Sequence, residues 1–338
     1  MLQLLQLRLR LVLLVRSRHD PGPGPAAHVP SRPLLAPWYR LVGDGDRLLL
    51  EHAQSLVVLE GAAVRILLPK LLPLLDGTRC IDELAERLGE PARPAIVAAL
   101  ELLAGRGLVV DGPDAPVHVR EAAHAVAAAY GLAPAVAAER LGAASVALIG
   151  DSPCLVEVAR LLWLAGVAEV RRGSWQGRGR ADLTVVAPAP DELDRLPAWN
   201  QLAFDRKLRW FLLRPYDGRF ASVGPLVVPG QSCCYVCMLL RRGANVGYAD
   251  ELADVEAAPV AALADAGFQT LVAGVAAHVA VRWVAGCDKT LPGILFTLEA
   301  QPALALDEHH VLRVPRCEVC SDVARVAPRL PWHAAEAA

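Results

Sequence analysis

Aromatic residues are scarce in this chain: Phe, Trp and Tyr together make up 5% of 338 residues, and Ala, Leu and Val supply most of the apolar fraction. That bias suits a helix-rich α/β protein better than an all-β one. Charge of one sign is not in excess either. Against 34 Lys and Arg stand 36 Asp and Glu, a net charge of −2, so no global field draws the chain to nucleic acid or to an anionic membrane. No stretch reaches the ~18 uncharged apolar residues that a membrane span needs. The leucine-rich start is interrupted by Arg8 and Arg10 and lacks a small-residue cleavage site, so it does not read as a secretory signal.

The length allows two domains. Residues 1–33 read as a flexible extension followed by a linker, because Asp20-Pro-Gly-Pro-Gly-Pro offers nothing to pack. Residues 34–112 read as a small α+β domain. Apolar runs at Trp38–Val42, Arg47–Glu51 and Ser55–Glu60 are predicted strands, with Gly43-Asp44-Gly45-Asp46 as the first turn. Helical periodicity follows over Ala62–Leu75, Ile81–Leu88 and Arg93–Ala104, and Leu108–Val110 closes the unit as a strand or wing. Three strands and three helices in that order suggest a winged-helix-like domain.

Residues 113–144 are alanine-rich and read as a helical connector. From Ser145 strands and helices alternate: strands at Ser145–Ile149, Ala168–Arg172, Ala181–Ala187 and Arg209–Leu213, helices at Leu155–Ala165 and Asp191–Asp205. That alternation predicts a doubly wound, Rossmann-type sheet over 145–325. A long helical stretch at Val255–Ala285 and a last pair of strands complete it, and 326–338 is left as a tail.

Eight cysteines are present, four of them in Cys234-x-x-Cys237 and Cys317-x-x-Cys320. Two residues between thiols let both sulfurs face one ion, and two such knuckles make a closed tetrahedral site of structural zinc. The alternatives are disulfides or coincidence, but matched pairs in a long chain favour a metal and a reducing, cytoplasmic setting. Cys233 could replace Cys234 only by breaking the spacing. Cys80, Cys154 and Cys287 read as small core residues, and His309 and His310 as solvated loop residues.

What is missing at the end of the first α/β strand matters as much. A phosphate-binding turn needs glycines at its first, third and sixth positions, so that bare amides approach the phosphate. Here the turn is Gly150-Asp151-Ser152-Pro153-Cys154-Leu155. Only the first glycine is there, Asp151 brings a negative charge, and Pro153 removes a donor. The second strand ends in Glu169-Val170-Arg171-Arg172 rather than in a well-placed acid for a ribose. The scaffold reads as one that has kept its shape without its nucleotide, which argues against ATP as a cofactor. His118, His124 and His278 have no companions at diagnostic spacing, so no catalytic residue is assigned.

Gly224-Pro-Leu-Val-Val-Pro-Gly230, then Cys234-x-x-Cys237 and Pro315-Arg316-Cys317-x-x-Cys320, resembles the ThiF-like partner proteins of YcaO-type azoline-forming cyclodehydratases. These proteins serve the biosynthesis of thiazole- and oxazole-modified ribosomal peptides such as bacteriocins and thiopeptides. The resemblance runs from about Ser145 to the end. The small domain is similar to the PqqD-like peptide-recognition element of the same proteins. There the precursor's leader adds as a strand beside the third strand and against the third helix. Carried over, the leader would lie along Ser55, Leu56, Val57, Val58, Leu59 and Glu60, facing Ile96, Leu100 and Leu103. An ordinary core role for those three is the competing reading.

The resemblance implies a non-catalytic subunit that binds a leader peptide and presents it to a separate YcaO-type enzyme, which closes Cys, Ser or Thr into azoline rings. A homodimer is compatible with it. Two rivals stand beside this reading. One is an active ATP-dependent ThiF-like adenylating enzyme, disfavoured by the degraded turn. The other is a winged-helix DNA-binding regulator, disfavoured because Arg93–Ala104 is mostly Ala and Leu and carries Glu101.

Overall fold

The computed structural model describes residues 9–14, 29–44, 47–52, 55–112, 117–214, 216–258 and 264–321. The chain forms two compact units, Met1–Glu139 and Arg140–Ala338. The expected tail at 326–338 lies outside the described residues.

In the first unit, strands β1 (Leu9–Leu14), β2 (Pro33–Leu35), β3 (Arg40–Asp44), β4 (Arg47–His52) and β5 (Ser55–Gly61) come first. A four-stranded antiparallel sheet runs in the order β1-β5-β4-β3. Helix α1 (Ala62–Ile66) follows, then α2 (Leu68–Leu71), a 3-10 turn at Leu72–Leu74, α3 (Ile81–Leu88) and α4 (Arg93–Ala104). Strand β6 (Val109–Asp111) pairs with β2, α5 (Val117–Tyr130) follows, and α6 (Pro134–Ala143) runs across the boundary between the units.

Two departures from the sequence expectation have clear causes. The single helix expected over Ala62–Leu75 breaks into three short turns because Pro69 and Pro73 bring no amide to the helical ladder. The extension expected over residues 1–33 contains one strand, Leu9–Leu14, and the first residue of β2, and the Pro/Gly linker at 20–25 lies outside the described residues. Leu9-Arg-Leu-Val-Leu-Leu14 is rich in residues able to extend, and on β5 its main chain finds a ladder.

The core of this unit is made from both layers. Leu50 and Leu59 from the sheet meet Leu84, Ile96, Leu100 and Leu103 from the helices, and all six are fully enclosed. Helix α3 is preceded by its cap residue Cys80, whose amide donates to the Glu83 carboxylate at 2.8 Å, a reach-back contact that fixes the first turn.

The second unit begins with β7 (Ser145–Ile149), α7 (Cys154–Leu164), β8 (Glu169–Arg172) and β9 (Leu183–Val186). A 3-10 turn at Pro190–Arg195 leads into α8 (Leu196–Asp205), β10 (Trp210–Arg214), β11 (Phe220–Val227) and α9 (Tyr235–Gly243). Then come α10 (Leu252–Ala257), α11 (Ala266–Val284), β12 (Ile294–Glu299) and β13 (Ala305–His310). One seven-stranded mixed sheet has the order β13-β12-β11-β10-β9-β7-β8. Strands β8, β7, β9 and β10 are parallel, as the alternation predicts, and β11, β12 and β13 extend them antiparallel.

Central strands β9 and β10 are buried almost throughout, which is why they are apolar but for Thr184 and the terminal Arg214. On one side Trp199 stacks edge-on against both Trp175 and Trp210, with ring centres 6.2 and 6.1 Å apart. The margins of the sheet are different. β13 is exposed from Leu306 to His310, and β8 carries Glu169, Arg171 and Arg172. No described helix is long and apolar enough to cross a membrane.

Candidate functional site

The two cysteine knuckles come together. Cys234 precedes α9 as its N-cap and Cys237 lies in the first turn of the helix. Cys317 and Cys320 lie just after β13. The sulfurs are 3.8 Å apart for Cys234–Cys237, 3.5 Å for Cys234–Cys317 and 3.3 Å for Cys237–Cys320. All four ligand atoms lie within 4.8 Å of one another and all four residues are buried. A tetrahedron of sulfurs at ~2.3 Å from a central zinc has edges of about 3.8 Å, so the donor set could hold a metal ion after a shift of a few tenths of an ångström.

The surroundings favour charge on one of these sulfurs, Cys237, whereas hydrogen bonding to Cys237 and burial push the Cys234 thiol up. The Val314 amide donates to Cys237 Sγ at 3.3 Å, and Arg313 holds the Cys320 and Gly230 carbonyls. The hydrogen bond from Cys234, with the amide bonds, pulls the Cys237 thiol well below its usual range. Cys233 is buried beside the cluster but outside it. Burial, then the nearby Cys237 and Cys320 sulfurs, pushes its thiol up to about 12, so it stays protonated.

The other cysteines are not all core residues. Cys80 caps α3 and Cys154 begins α7, both half-buried, whereas Cys287 is exposed at φ 51° just beyond α11. His309 and His310 are exposed strand residues of β13 rather than loop residues, and the His309 ring pairs with Thr297 Oγ1 at 2.9 Å.

The turn after β7 is filled by the protein itself. Gly150 has φ +101°, and a Cβ there would lie 2.1 Å from the Ala187 carbonyl oxygen, so its glycine is required by backbone approach to the end of β9. The Asp151 amide donates to Glu192 Oε2 at 2.8 Å, and the Ala189 amide donates to the same oxygen at 3.0 Å. Trp175 Nε1 and Arg195 Nη1 each donate to Glu192 Oε1 at 3.0 Å. Burial pushes the Glu192 carboxyl up, but the Ala189, Trp175, Asp151 and Arg195 contacts outweigh it and hold the group below the usual carboxylate range. Arg172 completes the arrangement, donating to the Gly150 carbonyl at 2.7 Å and to Asp151 Oδ1 at 2.6 Å. A buried carboxylate thus takes the amide of the residue after the glycine, and Arg172 is bound to the turn rather than held ready for a ligand.

Sequence reasoning missed Glu192. Its signal is its place three residues after Ala189 at the head of a short helical turn, where a Glu reaches back to the preceding amide.

In the small unit, Ser55, Leu56, Val57, Val58, Leu59 and Glu60 are all in β5, and its edge opposite β4 is paired with β1. Ile96, Leu100 and Leu103 are fully enclosed in the core cluster with Leu59. They fill the core, because their stripe on α4 is the face that packs inward.

No protein-family model matches the chain, and no curated protein does. Solved structures do. A heterocyclase in complex with substrate and cofactor is 25% identical, with a TM-score of 0.66, over 86% of this chain and 39% of its own. The heterocyclase TruD is 25% identical, with a TM-score of 0.66, over 87% of this chain and 43% of its own. The chain therefore spans about two fifths of the length of these heterocyclases. MccB of E. coli is 14% identical, with a TM-score of 0.54, over 88% of this chain and 99% of its own, a likeness of fold alone. The mixed α/β architecture with its large sheet is the one these proteins share.

Proposed function

We propose that this chain binds the leader of a ribosomal precursor peptide and presents it to a separate YcaO-type cyclodehydratase, taking no part in the chemistry itself. The likeness to heterocyclases over 86% and 87% of the chain supports the setting, azoline formation on a peptide. The observation that carries the non-catalytic half is the Glu192 carboxylate on the Asp151 amide. That amide heads the turn that would receive a nucleotide phosphate in a fold of this kind, and a fixed buried anion there repels a second one.

Recruitment falls to the small unit. Strand β5 has a main-chain ladder on the side away from β4, held in this structure by β1, and an extended peptide that takes such an edge gains affinity without demanding a particular sequence. The four cysteines would hold a structural zinc, all four positions filled by thiolates and none left open for water or substrate. The ion would supply folding energy to the larger unit and no reaction step.

The test is isothermal titration of the full chain with the leader of the precursor peptide, and separately with magnesium ATP. The expected result is saturable heat with the leader and none with ATP up to about 1 mM, at the weak end of nucleotide affinities. Binding of ATP with pyrophosphate exchange would replace this reading by that of an adenylating enzyme.

A further inference from the structure

We propose that strand β1 is a built-in stand-in for the guest peptide: Leu9–Leu14 holds the docking edge of β5 until an extended, apolar segment with a basic residue opposite Glu60 displaces it. The inference rests on the reading of β5 as the leader-docking edge and names the chemistry of what docks there.

Strands β3, β4 and β5 form a meander, each joined to the next by a short connection and paired with its sequence neighbour. β1 is different. It lies on the remaining edge of β5, antiparallel, with six residue pairs from Leu9↔Gly61 to Leu14↔Leu56. Between β1 and β5 the chain runs through Asp20-Pro-Gly-Pro-Gly-Pro and through β2. β2 is fixed independently. It pairs with β6 from Pro33↔Asp111 to Leu35↔Val109, and the Leu35 amide donates to the Leu75 carbonyl at 2.8 Å. Removing β1 therefore unpairs only one side of β5 and leaves the attachment of the chain beyond it intact.

The register says what kind of segment fits. β1 reads Leu-Arg-Leu-Val-Leu-Leu, so five of the six positions along β5 are apolar. The sixth, Arg10, is paired with Glu60, and Glu60 is paired on its other side with Arg47 of β4. Glu60 thus sits in register between two basic residues, a cross-strand arrangement that favours opposite charge. A guest that replaces β1 meets the same acidic position. An attached segment also competes at an effective concentration of order mM, so it holds the edge against weak peptides and yields to a tighter one.

The experiment uses a fluorescein-labelled synthetic peptide of residues 7–16, and the same peptide carrying Arg10→Glu. Fluorescence anisotropy is read on the full chain and on the full chain with Leu11→Pro and Val12→Pro, which removes the β1 ladder. The expected result is binding at least about tenfold tighter to the double-proline chain than to the unaltered one, in line with loss of a tethered competitor. On the double-proline chain the Arg10→Glu peptide should bind measurably more weakly than its parent. Equal or tighter binding to the unaltered chain would mean that guests add outside β1, and would overturn the proposal. So would no binding to a double-proline chain whose circular dichroism and melting are unchanged.

Hydrogen exchange on the unaltered chain needs no folded variant. Excess peptide should speed exchange in residues 9–14 while residues 55–61 stay protected, and unchanged exchange in 9–14 at saturation would sink the idea. A precursor leader that fails on the double-proline chain, where the 7–16 peptide binds, would remove the leader reading and leave the self-occupied edge standing.

Discussion

Asp151 and Glu192, 41 residues apart in sequence, are joined by a hydrogen bond of 2.8 Å from the backbone amide of the first to the carboxylate of the second. The bond ties the end of β7 to the 3-10 turn after β9, and four donors in all converge on the one carboxylate.

Glu192→Gln should therefore destabilise the larger unit without creating a nucleotide site. At pH 7 the loss of charge-assisted bonds should cost about 2 kcal/mol, or roughly 5 °C in Tm for a unit of this size. The pH dependence has a definite sign. The folded carboxyl ionises below its usual value, so its stabilisation is present above the unfolded pKa of about 4.3 and is lost as pH falls through the lower folded value. Thermal melts between pH 7 and 3 should show a steeper acid decline for the unaltered protein than for the Gln variant. Parallel curves would refute the coupling.

Metal content separates Cys317 from Cys233. The unaltered protein should carry about one zinc per chain by inductively coupled plasma mass spectrometry, in keeping with a closed four-thiolate site. Cys317→Ser should lose it and melt roughly 10 °C lower, as expected when several kcal/mol of metal-linked folding energy goes. Cys233→Ser should keep the metal, because its sulfur lies outside the cluster. Loss of metal in both variants would require a different ligand set.

Gly150→Ala tests why that glycine is present. A methyl group 2.1 Å from the Ala187 carbonyl oxygen, on a residue at φ +101°, cannot be absorbed by a side-chain shift. Strain and overlap together should cost about 3 kcal/mol in urea unfolding. A neutral substitution would show that the turn can relax.

Leu100→Ala distinguishes core from groove. Leu100 is wholly enclosed among Leu59, Leu84, Ile96 and Leu103, so truncation should cost about 3 kcal/mol of stability in the small unit. A variant as stable as the parent but weaker in peptide binding would restore Leu100 to the docking surface.

Much of this architecture was legible in the sequence. The alternating strands and helices from Ser145 onward gave the parallel half of the sheet, because buried parallel strands such as Leu183–Val186 are apolar but for Thr184. The four-cysteine cluster was legible too, since Cys-x-x-Cys spacing is local and its chemistry is specific. Glu192 was not, because what makes it matter is contact with Asp151 across most of a βαβ unit, which no local pattern encodes. β1 escaped for a related reason. The alternation Leu7-Arg8-Leu9-Arg10-Leu11 is a strand pattern, but the strand that pairs with it, β5, is distant in sequence. The same distance problem hid the burial of Ile96, Leu100 and Leu103: a helix stripe shows that a face is apolar, not what covers it.

The two margins of the seven-stranded sheet carry a consequence for solubility. β13 ends in exposed Asp307, Glu308, His309 and His310, and β8 carries Glu169, Arg171 and Arg172. Unpaired backbone at a sheet margin invites stray chains, and ionised side chains deter them by the water they would have to shed. The charged side chains at both margins thus make strand addition there costly for a nascent, β-prone polypeptide.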